Sequence, residues 1–512
     1  MAWAGAVPKL PYMHSPSVPP FARQLPHVVV VGGGVSGLAA AERLVRAHPT
    51  ATVTVLEATD RLGGIIHTRR DGEYTYEVGA DSVLAAKPAT RELCARLGIA
   101  DRLHGASGRG AFVYRPGRGG RATLRRLPAG LSGLMPTRLR PLATSGILSP
   151  RGLAAVAAEP WRRPSAAAQL GEDESIRAFV ERRMGREAYE RLVEPLLTGI
   201  YAGDGAQLSV EATFPQLRAL ERAHGSLLRG LRARSNAAAA PAASPFISLP
   251  NGLGELIDAL EAALLATGRV HIRRESPVRA LRPTAAGVEV ALDAATLHAD
   301  AVVVAASARV AARLLASVDA ELSAELGGIA HGSTATVTLA YARADVPHPL
   351  DGTGYVVPRA TGRPVMACTW LSSKWAGRTP ADAALFRVFL GGAGHPRVVG
   401  EEDPRLLARA RAELAEVLGV RADPRFARVA RWVEAMPQYT LGHRERVARI
   451  RERTGRHPWL ALAGNAYQGV GVPDCIRSGE AAADRVAAAL PALRPAEARE
   501  AYDAREPLEV AA

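Results

Sequence analysis

His27-Val28-Val29-Val30-Val31-Gly32-Gly33-Gly34-Val35-Ser36-Gly37-Leu38-Ala39-Ala40, followed by Val53-Thr54-Val55-Leu56-Glu57, decides the fold. Four consecutive valines read as a strand buried in a parallel sheet. The glycines turn the chain tightly into a helix, and an acid ends the next strand about 20 residues later. Gly32 permits the turn, Gly34 lets the backbone approach a pyrophosphate, and Gly37 lets the helix pack on the strand. From Gly32 through Gly33, Val35, Ser36 and Gly37, the amides at the helix start face phosphates, where the helix dipole favours negative charge. Glu57 stands where a carboxylate accepts hydrogen bonds from a ribose. The stretch is a dinucleotide-binding turn.

Just past the acid come Ala58-Thr59-Asp60-Arg61-Leu62-Gly63-Gly64-Ile65-Ile66-His67-Thr68 and then Tyr76-Glu77-Val78-Gly79-Ala80-Asp81-Ser82. The second glycine pair points to backbone lying close against a bulky flat cofactor, with Arg61 as a phosphate counter-charge. Nicotinamide enzymes have no need of this element. It resembles flavoproteins of the glutathione-reductase and amine-oxidase type, which implies FAD rather than NAD.

At 512 residues the chain exceeds one simple core and predicts two or three lobes. Its 48% apolar and 22% charged residues are ordinary for a globular enzyme. The formal charge of +14, nearly all of the surplus from Arg, favours anionic partners and admits peripheral contact with acidic lipid; a GC-rich genome explains the same bias. The Arg residues are dispersed without an aromatic-interleaved stripe, so no nucleic-acid partner is expected. The scattered cysteines Cys94, Cys368 and Cys475 argue against a disulfide framework or metal knot and for a reducing compartment. Cys475 lies beside the expected flavin segment, and the choice there is between a plain buried thiol and a covalent flavin link. No apolar run approaches the roughly 20 residues of a membrane span, and the proline-rich start lacks the core of an export signal. A cytoplasmic protein is expected; no signal sets its oligomeric state.

Strand, helix, strand and helix occupy 27 to about 103, with Gly98 closing the helix that contains Arg91-Glu92-Leu93. A strand pair follows around 111–115 and 122–127, then a helical block over about 151–232 and a low-complexity linker at 234–245. Strands recur at 270–272, 288–292 and 301–306, and alternating strands at 334–340, 354–357 and 386–390 predict an antiparallel substrate sheet. The fold class is α/β, a Rossmann-like FAD-binding domain with an inserted antiparallel substrate domain and a helical lobe. Expected boundaries are a tail at 1–26, FAD-binding parts at 27–110, 246–325 and 431–495, helical lobe and linker at 111–245, substrate-binding domain at 326–430, and a tail at 496–512.

Further on, Leu460-Ala461-Leu462-Ala463-Gly464-Asn465-Ala466-Tyr467-Gln468-Gly469-Val470-Gly471-Val472-Pro473 runs into an Ala-rich helix, repeating strand, glycine turn and helix N-terminus. Its amides could reach a flavin ring. With Leu249-Pro250-Asn251-Gly252-Leu253, Tyr201-Ala202-Gly203-Asp204 and Ala435-Met436-Pro437-Gln438-Tyr439, it resembles the protoporphyrinogen and coproporphyrinogen oxidase family from about residue 27 to 490. Gly79-Ala80-Asp81-Ser82 and Lys87-Pro88 favour the actinobacterial and firmicute branch, which implies oxidation of coproporphyrinogen III to coproporphyrin III. The resemblance implies FAD contacts at Gly32 through Gly37, Glu57, Ala58, Ile65 and Gly79 through Ser82. It also implies Val278 at the adenine, and Trp432 with Val470, Gly471 and Val472 near the flavin; Val278 and Trp432 rest on it alone.

A porphyrinogen is an electron-rich macrocycle, and FAD can take hydride from a meso carbon while pyrrole protons leave, so no catalytic acid-base dyad is expected. The anionic tetrapyrrole predicts a cationic mouth, with Lys87, Arg109, Arg115 and Arg363 as candidates. Arg109 is displaced along the chain from the Arg of the eukaryotic branch. The implied mechanism is three two-electron oxidations, with molecular oxygen reoxidising the flavin to give hydrogen peroxide. Protoporphyrinogen is the alternative substrate. A flavin amine oxidase is the enzyme rival, disfavoured by an aromatic content of only 5%.

Overall fold

The computed structural model describes residues 25–107, 110–117, 122–132, 134–163, 171–237, 244–285 and 287–490. Five short strands form one parallel sheet: β1 (His27–Val31), β2 (Thr52–Leu56), β3 (Val270–Arg273), β4 (Ala301–Val304) and β5 (Leu460–Leu462), in the order 3-2-1-4-5. The valines earn this placement, since Val28, Val29 and Val30 are fully buried between the helical layers. Strand order reverses at β1. A ligand crevice in such a sheet lies outside the carboxyl ends of the strands at that reversal.

Helix α1 (Val35–Ala47) leaves the end of β1, and helix α2 (Val472–Ala489) follows β5. They pack closely because Gly479 brings α2 against the backbone of Ser36 and Ala40, where any Cβ would collide. Gly37 plays the same part between α1 and the turn, since a Cβ there would run into the Gly32 carbonyl oxygen.

The second sheet has seven strands in the order Phe426–Pro437, His331–Ala342, Ala383–Gly391, Val365–Trp370, Gly354–Val356, Phe112–Pro116 and Ala122–Arg126. Its pairings are antiparallel except between Gly354–Val356 and Phe112–Pro116. The strand pair at 112–126 thus completes this sheet instead of belonging with the helices after it. Trp432 likewise stands on a strand of this sheet.

Helices from Leu139–Ser145 to Leu227–Ala237 form a lobe with its own core, including Phe179, Val180, Met184, Leu192 and Leu197. The last of them extends into the expected linker, of which residues 238–243 lie outside the described residues. The lobe encloses an ion-pair network. Arg183 and Glu159 are both fully buried and paired, and Glu159 also accepts from the Ser226 hydroxyl at 2.6 Å and the Leu227 amide at 2.8 Å. The expected tails lie outside the described residues apart from Leu25 and Pro26.

Candidate functional site

At the carboxyl end of β1, Gly32 has φ +109°, and a Cβ there would stand 2.6 Å from the Ala305 carbonyl oxygen. The turn therefore needs glycine for both conformation and space. The Gly33 amide donates to Glu57 Oε2 at 2.8 Å, and Glu57 Oε1 accepts from the Thr59 amide at 2.9 Å and the Thr59 hydroxyl at 2.8 Å. Glu57 is thus locked at the rim with acceptor capacity left for a ribose, and Ala58 is exposed beside it. The Ser276 amide donates to the Glu57 carbonyl at 2.8 Å, which brings Val278, half-buried, to the same end of the crevice.

Gly34 differs from its neighbours. Its backbone is extended (φ −70°, ψ 172°), no side chain caps α1, and a Cβ would meet nothing nearer than Gly64 Cα at 3.9 Å. Close packing does not require glycine there; the open space does. Opposite, Gly63 (φ +98°) and Gly64 (φ +57°) turn the second glycine loop, and the Gly63 amide donates to the Gly33 carbonyl at 2.8 Å. The Arg61 guanidinium reaches back to the Gly64 carbonyl at 2.7 Å and to Leu62 and Ile66 carbonyls at 3.3 Å. It has no ion pair among the described residues, and burial pushes its pKa down despite Glu57 and Asp60. A half-buried guanidinium that donates to backbone carbonyls, beside the uncapped N-terminus of α1, fits a pyrophosphate.

The loop continues to Ile65, whose carbonyl accepts from the Ala80 amide at 3.1 Å. Only glycine fits at Gly79, where a Cβ would strike that carbonyl and stand 3.0 Å from the Trp432 ring. The segment from Glu77 to Ser82 is then stapled to the seven-stranded sheet. The Trp432 indole donates to the Val78 carbonyl at 3.1 Å, and Arg387 donates to the Glu77 and Gly79 carbonyls, each at 2.7 Å. Lys374 donates to Asp81 Oδ2 at 2.8 Å, Arg387 pairs with the same oxygen at 3.3 Å, and Ser82 donates to Oδ1 at 2.7 Å. Burial would raise the Asp81 pKa, but Lys374 and Arg387 outweigh it and hold the carboxyl well below its usual range. Asp81 therefore acts as the anchor that fixes this floor. Glu77 is a second anchor: buried and shifted up by desolvation, it accepts from the Leu253 amide at 2.6 Å and the Thr68 hydroxyl at 2.8 Å. The Pro250-Asn251-Gly252 turn sits on that carboxyl, as the tight fit at Gly252 against Thr68 and Glu77 requires.

The other wall is the start of α2. Val470 and Gly471 are half-buried and Val472 is buried; the Gly471 amide meets Asp474 Oδ2 at 3.2 Å. Lys87 reaches both Asp474 oxygens at 2.6 Å. It therefore stands at this end of the crevice with its charge offset. Cys475, one residue on, is buried beside Ser36, and burial pushes its thiol up to about 12.

The remaining cations divide. Arg363, expected as a substrate cation, is instead bound to Glu413, Glu416 and the Tyr114 hydroxyl, which uses its charge inside the sheet domain. Arg115 donates to the Gly146 carbonyl at 2.7 Å and lines a cavity of about 350 Å³ with Arg125 and Arg191, between the strand pair and the lobe. Arg109 lies outside the described residues. The sequence reading missed Arg387 and Lys374, because nothing local marks a charge whose partner is some 300 residues away.

A dinucleotide crevice closed at its far end by a second helix N-terminus and floored by glycine defines a flavin-dependent oxidoreductase. Residues 35–487 match the model of the flavin containing amine oxidoreductases. A coproporphyrinogen III oxidase of Bacillus subtilis is 33% identical over 468 residues, covering 89% of this chain and 97% of its own length. Human protoporphyrinogen oxidase is 32% identical over 490 residues, covering 89% and 97%. A crystal structure described as a putative protoporphyrinogen oxidase from Exiguobacterium superposes with a TM-score of 0.80 at 33% identity, covering 90% of this chain and 99% of that one. The chain belongs to the flavin containing amine oxidoreductases, in their coproporphyrinogen and protoporphyrinogen oxidase branch.

Proposed function

We propose that the chain oxidises coproporphyrinogen III to coproporphyrin III, with molecular oxygen as electron acceptor and hydrogen peroxide as co-product, in the cytoplasm. The observation that carries the reading is the crevice, which presents two helix N-termini and a rigid glycine floor to one flat anionic cofactor. The choice of substrate within the branch is supported by bacterial relatives named for coproporphyrinogen III, at 33% and 36% identity.

When bound, FAD supplies the two-electron acceptor for each of the three oxidations. The chain's residues hold, orient and enclose. In this reading the α1 amides from Gly34 to Gly37 and the Arg61 guanidinium take the pyrophosphate, Glu57 takes the ribose, and Val278 lies against the adenine. Ile65, Gly79 to Ser82 and Trp432 fix the height of the floor under the ring. Val470 to Val472 bring the positive end of α2 to the ring edge, where it favours negative charge gained on reduction. Val470 also packs against the helical lobe, which screens that edge from water. With FAD bound, each oxidation would pass a hydride from a meso carbon to the flavin and release one pyrrole proton to water, so the chain's residues would hold and orient the macrocycle without supplying an acid-base pair. Arg115 is the cation offered to the propionates, since Asp474 already offsets Lys87.

The test is porphyrin fluorescence from the purified holoprotein in air, given coproporphyrinogen III or protoporphyrinogen IX in parallel. Faster turnover of the four-propionate substrate is expected. A reversed preference would reassign the substrate within the branch, and peroxide from amines with no porphyrin formed would remove the reading.

A further inference from the structure

The segment from Gly464 to Gly471, which delivers the chain to the start of α2, pairs with no strand and contains two glycines at positive φ, Gly464 (+135°) and Gly469 (+114°). One buried side chain spans it. Tyr439 is 1% exposed; its hydroxyl accepts from the Gly469 amide at 2.8 Å and donates to the Asn465 carbonyl at 2.6 Å. The Tyr439 ring is stacked on His443, with centroids 4.1 Å apart and planes 12° from parallel, and His443 lies against the backbone of Ala466 and Tyr467. The Tyr439 carbonyl accepts from the Ser209 amide at 2.8 Å, and the neighbouring Gln438 side chain donates through Nε2 to the Tyr201 carbonyl at 2.9 Å. Tyr439 thus stands where the seven-stranded sheet, the helical lobe and the loop into α2 meet. The Tyr-Ala-Gly and Pro-Gln-Tyr motifs are brought together here.

We propose that Tyr439 is a positioning residue whose hydroxyl fixes the Gly464–Gly471 loop, and through it the first amides of α2, against the flavin. A tyrosine that only filled space would not need its hydroxyl, whereas this one satisfies both a donor and an acceptor of a single loop. Removing the hydroxyl leaves the half-buried Gly469 N–H and Asn465 carbonyl without this partner. The inference rests on the placement of the flavin ring at the N-terminus of α2.

Tyr439→Phe keeps the ring and the stack. The holoenzyme variant is expected to contain FAD one to one, to lose it roughly tenfold faster on dilution, and to show an altered flavin absorption band. Its kcat per bound FAD should fall about tenfold with KM for the porphyrinogen unchanged; normalising to bound flavin removes any loss that comes only from unfolded or flavin-free protein. His443→Phe, which keeps a stacked ring but not the imidazole, should shift the band in the same sense by less. Gly471→Leu, placed at the helix start itself, checks the underlying placement. A wild-type band and FAD release rate in Tyr439→Phe, with both changed in Gly471→Leu, would overturn the role of Tyr439. Both unchanged in Gly471→Leu would overturn the flavin placement instead.

Discussion

The contrast between Gly34 and Gly37 allows a ligand requirement to be separated from a folding requirement. Gly34→Val introduces a side chain where the backbone is already extended and the nearest atom to a Cβ is 3.9 Å away. The cofactor-free protein should therefore lose only the N-cap preference for glycine over valine, about 1 kcal/mol. The isopropyl group fills the space assigned to the pyrophosphate and forfeits at least two charge-assisted amide bonds, each worth roughly 1.5–3 kcal/mol. That is about 4 kcal/mol, or a thousandfold in FAD affinity. Gly37→Ala does the reverse. Its methyl group runs into the Gly32 carbonyl and must push α1 off the turn, which costs about 1–3 kcal/mol with or without cofactor. Denaturant melts of the cofactor-free forms, together with FAD retained per chain after gel filtration, measure both effects. Stoichiometric FAD in Gly34→Val would refute the reasoning, as would a cofactor-free Gly34→Val as unstable as Gly37→Ala.

Asp81→Ala leaves buried Arg387 and half-buried Lys374 without their shared carboxylate and should cost roughly 3 kcal/mol, read by thermal melting. Because the folded pKa of Asp81 is depressed, its stabilising contribution is present above the ordinary Asp range and is lost as the pH falls through the folded value; the variant should therefore show a flatter acid limb. Glu159→Gln removes the charge facing fully buried Arg183 and should destabilise the helical lobe by about 3–5 kcal/mol, seen in a denaturant melt. His443 is held neutral, chiefly by burial, down to about pH 4. The unfolded chain takes up its proton near 6.5, so stability should decline from about pH 6.5 to about 4, by an amount of order 3 kcal/mol from this group, and His443→Phe should reduce that slope. Cys475 is buried with a thiol pushed up to about 12; acid precipitation should release all of the flavin, and colour left in the pellet would indicate a covalent link.

The crevice was legible wherever a requirement is local. Gly32, Gly37 and Gly79 each satisfy a contact that admits no Cβ, so glycine is the visible trace of the geometry. The valines of β1 announce burial in the same way. What could not be read was partnership across the chain. Arg363 and Lys87 looked equally free as cations, yet one is spent on Glu413 and Glu416 and the other on Asp474. Trp432 came from family resemblance alone, because its bond to the Val78 carbonyl joins a strand to a bend some 350 residues earlier in the chain. Tyr439 is marked in the sequence only as the end of the Ala435–Tyr439 motif, which says nothing of the loop that its hydroxyl reaches, because only the fold brings that loop near.

The central claim is that this crevice holds a flavin that a porphyrinogen reduces. Anaerobic mixing of the holoprotein with coproporphyrinogen III tests it directly. The flavin is expected to bleach as porphyrin fluorescence grows, then to regain its colour with release of hydrogen peroxide when oxygen is admitted. A flavin that stays oxidised with the porphyrinogen but bleaches with a simple primary amine would contradict it.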